Sequence, residues 1–353
     1  MPRPSRFRCP HPAAVPVPPS LFAVLLPPPA GWHPLSLLQA PAPCGDPPPS
    51  LAALLSYAYI AAGSRGERGA PAMRSISCED ITAAVARMCI EAACDLPADA
   101  EAALQAALQA EESEYGTWAL QKICRNVQVA RERQVPMCQD TGLAIVFAEL
   151  GQDAHIVGGS FEAAVNAGIA QGYTQGYLRK STVADPLFAR VNTGDNTPAI
   201  IYTQLVEGEY LTLTLMPKGA GSENMSRLGM LKPAQGLEGV KRFVVDAVME
   251  AGGNPCPPTI VGVGLGGNAD KALLLSKQAL RRRVGAPNPR PEYAALEAEL
   301  LEAINASGVG PQGFGGRVTA LAVHIEAYPT HIATLPVGVT LNCHAARHKT
   351  VVL

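Results

Sequence analysis

The sequence predicts an α+β domain, a mixed α/β architecture in which N-terminal helices precede a mixed sheet with flanking helices. Three observations carry this reading. Helical periodicity fills residues 78–133 without a strand signal. From Leu143 onward, apolar runs of strand length alternate with helical patterns. Two of those runs, 199–206 and 210–216, are separated by Glu207-Gly208-Glu209, a hairpin connection by its turn chemistry. Hairpins among helices favour a mixed sheet over a purely parallel wound one.

The elements follow in order. Ser77-Cys78-Glu79-Asp80 has capping-box spacing, and Ile81, Ala84, Val85, Met88, Cys89 and Ala92 then recur at helical intervals. Cys89 and Cys94 are packing residues on this pattern. A second helix is expected over 99–111. A third, over 116–133, has Trp118, Leu120, Ile123 and Val127 as its apolar stripe, with Cys124 beside them. Residues 143–147 read as a buried strand, 160–171 as a helix, and 210–216 as a strictly alternating strand with one buried and one polar face. Helix is expected over 237–251, 270–282 and 293–305, and strand over 259–263, 318–327 and 337–341.

Residues 1–72 stand apart. They hold 17 of the 32 prolines and two acidic residues, Asp46 and Glu67. Proline runs exclude helix and central strand. A disordered extension is expected, or translated sequence upstream of a natural start at Met73, which leaves 73–353 as the folded domain. The formal net charge of -2 argues against nucleic acid or anionic membranes as partners. No stretch reaches the roughly 18 apolar residues of a membrane helix. Nine cysteines, an odd number without framework spacing, suit a reducing, cytoplasmic compartment.

Three of those cysteines lie among turn formers rather than in apolar runs: Cys138 in Pro136-Met137-Cys138-Gln139-Asp140-Thr141-Gly142, Cys256 in Asn254-Pro255-Cys256-Pro257-Pro258, and Cys343 in Asn342-Cys343-His344-Ala345-Ala346-Arg347-His348. None belongs to a C-x-x-C pair, so single ligands from distant loops would have to converge on any shared metal. Three thiolates can hold an iron–sulfur cluster and leave one iron free. Asp140 would then stand beside the metal as an acid–base group, or it closes an Asx turn over Thr141-Gly142. Arg179 has the fork that fits a carboxylate, although a surface arginine is the default. Lys218-Gly219-Ala220-Gly221-Ser222 is similar to an anion-cradling loop without the P-loop pattern. Gly262-Val263-Gly264-Leu265-Gly266-Gly267 matches a dinucleotide fingerprint. The acid expected about 20 residues on is missing, so a glycine-rich strand-to-helix turn that allows close packing is preferred.

Together these segments resemble the class I, iron–sulfur-dependent fumarate hydratases and L-tartrate dehydratases, in particular the α subunit of the two-subunit forms, equivalent to the N-terminal half of the fused forms. The likeness runs over about 77–353 and rests on Cys138-Gln139-Asp140-Thr141-Gly142, Leu178-Arg179, Asn192-Thr193-Gly194, Lys218 to Ser222, Cys256-Pro257-Pro258, His331, Pro336-Val337-Gly338 and Cys343. Ala220 departs from a loop that is often all glycine, and residues 1–72 have no counterpart. The resemblance implies a hydro-lyase with a [4Fe-4S] cluster on Cys138, Cys256 and Cys343. It implies acid–base roles for Asp140 and His331, and substrate binding by Gln139, Arg179, Gly219 and Ala220. The expected reaction is reversible hydration of fumarate, with L-tartrate dehydration as the alternative and an NAD oxidoreductase as a remote one. A separate β subunit, joined in a hetero-oligomer, is expected to supply the C–H base and the rest of the dicarboxylic acid site.

Overall fold

The computed structural model describes residues 73–353, so the proline-rich segment 1–72 lies outside the described residues. β1 (Arg74–Ser77) leads into α1 (Cys78–Cys94), α2 (Ala98–Ala110) and α3 (Glu114–Arg133). Ser77 caps α1, its Oγ accepting from Asp80 N at 3.0 Å and donating to the Asp80 carboxylate at 2.7 Å. Arg131 and Arg133 in the last turn of α3 face the negative end of its dipole. The stripe of α3 is Ala119, Leu120, Ile123, Cys124, Val127 and Ala130. Trp118 is not part of it: it is 54% exposed, on a neighbouring face with Tyr115 and with Lys122 over its ring.

Two four-stranded sheets follow. The first, ordered β10-β5-β2-β4, is built from β2 (Leu143–Gly151), β4 (Ile200–Val206), β5 (Leu211–Lys218) and β10 (Lys349–Val352). The second, ordered β6-β9-β7-β8, is built from β6 (Arg227–Leu231), β7 (Thr259–Gly267), β8 (Ala320–Thr330) and β9 (Leu335–Asn342). β3 (Ala154–Val157) pairs with β1 alone. Each sheet mixes parallel and antiparallel pairs, as the mixed architecture requires: β2 is parallel to β4 and antiparallel to β5, and β7 is parallel to β8 and antiparallel to β9.

The expected 199–206/210–216 hairpin does not form, because β2 lies between its two strands. Residues 207–210 cross the end of β2 instead, where Gly151 N donates to Tyr210 O and Asp153 N to Gly208 O, each at 2.9 Å. A Cβ on Gly151 would sit 2.3 Å from Gly208 O, so the crossing depends on glycine there. Turn residues mark where a chain reverses; they do not determine which strand fills the gap. The polar face of β5 is covered as well, with Thr214 buried and its hydroxyl 2.9 Å from that of Thr350 on β10.

Helices complete the layers. α1 and α4 (Phe161–Gln175) bury one face of the first sheet, with Ile81, Val85, Ile169 and Tyr173 against Val146, Leu213 and Leu215. α6 (Gly236–Ala251) and α8 (Pro291–Asn305) bury one face of the second, with Val244, Val248, Leu300 and Ile304 against Val261, Val263 and Val339. α7 (Ala269–Ala279) packs on the other face of the second sheet, and α2 and α3 join a core that includes Phe147 and Met216 of the first sheet and Ile260 of the second.

The glycine fingerprint belongs to this packing, although the glycines lie within β7 rather than in a turn. A Cβ on Gly262 would sit 2.1 Å from Ser276 O, one on Gly264 2.0 Å from Ala272 O, and one on Gly338 of β9 2.5 Å from Ala272 O. The backbone of α7 rests directly on two strands, which leaves no room for a dinucleotide phosphate. Gly264→Ala is therefore expected to lower unfolding free energy by about 2 kcal/mol or more in a denaturant titration. An unchanged midpoint would mean that α7 can retreat from β7.

Candidate active site

The site is assembled from loops at neighbouring ends of the two sheets. Cys138 lies between α3 and β2, in a segment pinned by Met137 N donating to Ala93 O at 2.9 Å and by Asn126 Nδ2 donating to Met137 O at 2.6 Å. Gly142 has φ +80, and a Cβ there would be 2.7 Å from Lys218 N, so this loop lies flat on the end of β5. Asp140 does close the Asx turn, with Oδ1 accepting from Gly142 N at 3.0 Å. Its Oδ2 accepts from Ala220 N at 2.8 Å, at the start of the single-turn α5 (Ala220–Glu223). Gly219 closes in as well; a Cβ there would be 3.3 Å from Asp140 Oδ2. Thr141 Oγ1 donates to Arg179 O at 2.9 Å, and the buried Asn196 donates to Gly142 O at 3.1 Å while accepting from Ser181 N at 2.7 Å. Gln139 and Arg179 are exposed beside this loop.

Cys256 and Cys343 come from the second sheet. Cys256 precedes β7 and Cys343 follows β9, and antiparallel pairing of Ile260 with Asn342 sets them at one sheet end. Cys256 holds φ +55, a left-handed conformation that costs a non-glycine residue roughly 1–2 kcal/mol. Its loop is secured from outside. His344 N donates to Cys256 O at 3.3 Å, His344 Nδ1 lies 3.0 Å from the same oxygen, and Gln312 donates to Pro257 O through both N and Nε2. Burial and then the charges of Cys343 and Cys138 push the Cys256 thiol up, so both other thiols are within electrostatic reach of Cys256. Lys218, at the end of β5, joins this centre. Burial pushes its amine down to about 8 against the opposing charges of Glu223 and Cys343, and Nζ donates to Ser222 Oγ at 2.6 Å.

His331 does not join them. It lies between β8 and β9, at the far end of β9 from Cys343. Eight strand residues at about 3.3 Å each separate the two by roughly 25 Å. His331 is exposed, and its Nδ1 accepts from Ala333 N at 3.1 Å within its own turn. The structure therefore brings Cys138, Asp140, Gly219, Ala220, Cys256 and Cys343 to one junction, with Gln139 and Arg179 beside it, and leaves His331 elsewhere. Among the described residues, no three His, Cys, Asp or Glu side chains converge tightly enough to grip a single metal ion.

Residues 82–352 match the family model described as fumarate hydratase (fumerase). The chain belongs to the fumerase family. A relative from Methanocaldococcus jannaschii, provisionally described as L(+)-tartrate dehydratase subunit alpha, is 43% identical over 265 residues, 73% of this chain and 92% of that protein. The L(+)-tartrate dehydratase subunit alpha of Escherichia coli UTI89 is 32% identical over 259 residues, 72% of this chain and 84% of its own. That of strain K12 is 31% identical over 262 residues, 73% and 86% respectively.

Several residues that build the junction in this fumerase-family chain escaped the sequence reading. Arg347 and His344 stand in the run after Cys343 but have no spacing that marks them. Gln312 and Asn196 act across long sequence distances and carry no local signal. Glu111 is a further one. Its carboxylate accepts from the backbone N–H groups of Glu112, Ser113, Arg317 and Val318 at 2.9–3.0 Å, anchoring the loop that carries Gln312. Burial pushes the Glu111 carboxyl up, but the bonds from Arg317, Ser113, Val318 and Glu112 outweigh it and hold the group below its ordinary value. A depressed folded pKa contributes stability that is present above the unfolded carboxylate value, about 4.3, and is lost as pH falls through the folded value. Wild-type protein is thus expected to lose more thermal stability between pH 6 and pH 3 than Glu111→Gln does. Parallel pH profiles would show instead that this carboxylate contributes nothing through its charge.

Proposed function

We propose that this chain is the α subunit of an iron–sulfur hydro-lyase acting on a four-carbon dicarboxylic acid, with Cys138, Cys256 and Cys343 holding a [4Fe-4S] cluster. The observation that carries the reading is the approach of three separate cysteine loops, with His344 N bonded to Cys256 O and the Cys256 thiol sensing the charges of Cys343 and Cys138, beside a buried guanidinium, Arg347, with unpartnered donors. Thiolates bound to different irons of one cluster stand further apart than ligands of one ion, which agrees with the lack of a single-ion site. When bound, such a cluster supplies an iron without a protein ligand, a Lewis acid that makes hydroxide a better leaving group.

The chain's own groups supply orientation. Gly219 lies close against Asp140, and Ala220 N fixes one of its oxygens; both residues would line the substrate carboxylate. Both carboxylate oxygens accept one backbone bond and each retains a lone pair, so Asp140 can accept a proton from a fixed direction. Arg179 and Gln139, both exposed at this loop, would bind a substrate carboxylate. L(+)-tartrate is the favoured substrate, because the relatives at 31–43% identity carry that description; fumarate is the second reading, because the family model carries that name.

A β subunit is the proposed partner, since the relatives are described as alpha subunits. An exposed apolar loop next to Arg179 supports it: Tyr177, Leu187, Phe188 and Val191 all face solvent, Phe188 at 86%. Asp185 holds that loop rigid by accepting from the N–H groups of Leu187, Phe188 and Ala189. Preorganised apolar surface of this kind suits docking. Among the described residues, no helix is long and apolar enough to cross a membrane.

Anaerobically reconstituted protein is expected to hold about four irons per chain. Cys138→Ser, Cys256→Ser and Cys343→Ser should each lose iron while Cys89→Ser keeps it, and Asp140→Asn should keep iron but lose about 100-fold in turnover. Full iron content in all three serine variants would sink the proposal. With a co-expressed β chain, turnover of L-tartrate and of fumarate at matched iron content ranks the two substrates. Equal turnover by the α chain alone would refute the shared active site.

A further inference from the structure

Arg347 is a wholly buried cation for which the described residues supply only part of a partner set. It lies four residues after Cys343, in the turn between β9 and β10, and is 1% exposed. One donor is used: Nη2 donates to Asp140 O at 2.9 Å. Nε and Nη1 have no partner among the described residues. The guanidinium cannot escape by losing its proton. A buried charge with unmatched donors is strongly unfavourable, so the functional state needs an acceptor there.

The nearby carboxylate is not that acceptor. Its two oxygens are held by Gly142 N and Ala220 N, Arg347 makes no bond to either, and the guanidinium bonds the backbone carbonyl of Asp140 instead. Lys218, the other buried cation here, is satisfied by Ser222 and lies 3.5 Å from Glu223. Of these two buried cations, Arg347 alone has donors without a partner among the described residues. The anion that fits is the one that three thiolates would create, because their charge outweighs that of a [4Fe-4S] core.

We propose that Arg347 is the counter-ion of the cluster, with its Nε and Nη1 N–H groups donating to cluster or cysteine sulfur. It is a positioning residue, and it couples cluster loading to the Cys138–Asp140 loop through its bond to Asp140 O. This rests on the cluster reading above. Two consequences separate it from a merely structural strut. With the cluster present, losing the positive charge makes reduction harder and the irons more labile. Without the cluster, Arg347 is an uncompensated buried charge, so a Met of similar length should be no worse.

The test compares wild type, Arg347→Met and Arg347→Lys, each as full chain with its β partner, before and after anaerobic loading with iron and sulfide. Arg347→Met is expected to release iron to a chelator about 10- to 100-fold faster than wild type. Its midpoint potential should be more negative, and its thermal midpoint before loading equal or higher. Arg347→Lys should fall between the two in release rate and keep the potential closer to wild type. Wild-type release rate and potential in both variants would overturn the counter-ion role, as would an Arg347→Met protein that is less stable than wild type, or unfolded, before loading. Failure of wild type itself to take up iron would sink the cluster reading together with this one, whereas loaded wild type with unchanged variants sinks this one alone.

Discussion

The contact between α7 and the glycines of β7 and β9 governs the geometry of the whole domain. Three missing Cβ atoms, at Gly262, Gly264 and Gly338, let the helix backbone settle onto the second sheet. The same helix and the residues after it reach the first sheet. Lys277 pairs with Glu223, Arg281 lies 3.4 Å from Glu149 and 4.6 Å from the Phe147 ring centroid. α7 is thus the spacer between the sheets. Its depth on β7 determines how far the Cys256 and Cys343 loops stand from the Cys138 loop. A side chain of even one carbon at those positions would act on the site from a distance.

The cysteines divide by surroundings rather than by sequence interval. Cys89 sits in the core under α4, and burial pushes its thiol to about 12, where it stays protonated and inert. Cys94 and Cys124 are likewise pushed up mainly by burial. The thiol of Cys256 senses those of Cys343 and Cys138, and Cys343 has Lys218 nearby and donates to Ala345 O. One chain thereby keeps packing sulfur and junction sulfur apart without any C-x-x-C signature.

Much of the architecture was legible because it is local. Helical periodicity gave α1, α2 and α3 within two residues of their ends, and capping at Ser77 was visible in four letters. Apolar runs marked β2, β7 and β9, although each strand extends beyond its run. What failed needed tertiary knowledge. The hairpin was lost to β2, which no turn residue announces. β6 and β10 are short and gain their register from β9 and β5. Trp118 fell off its stripe because one helical position turns the side chain by about 100°. At the site, residues drawn together by motif and loop context were close in space, whereas His331 was separated by the strand that links it to Cys343. Arg347, Gln312 and Glu111 were invisible because each acts through a partner that is distant in sequence.

The position of β10 has a consequence for synthesis. It completes the edge of the first sheet against β5, where Thr350 meets Thr214 across 136 residues of chain. Before that segment leaves the ribosome, β5 has an open edge and the Cys343 loop has no anchor on the first sheet. Contacts of such long sequence separation form late. The junction of the three cysteine loops therefore belongs to the last stage of folding, after the residues that follow Cys343 have closed the edge of the sheet that supports Cys138.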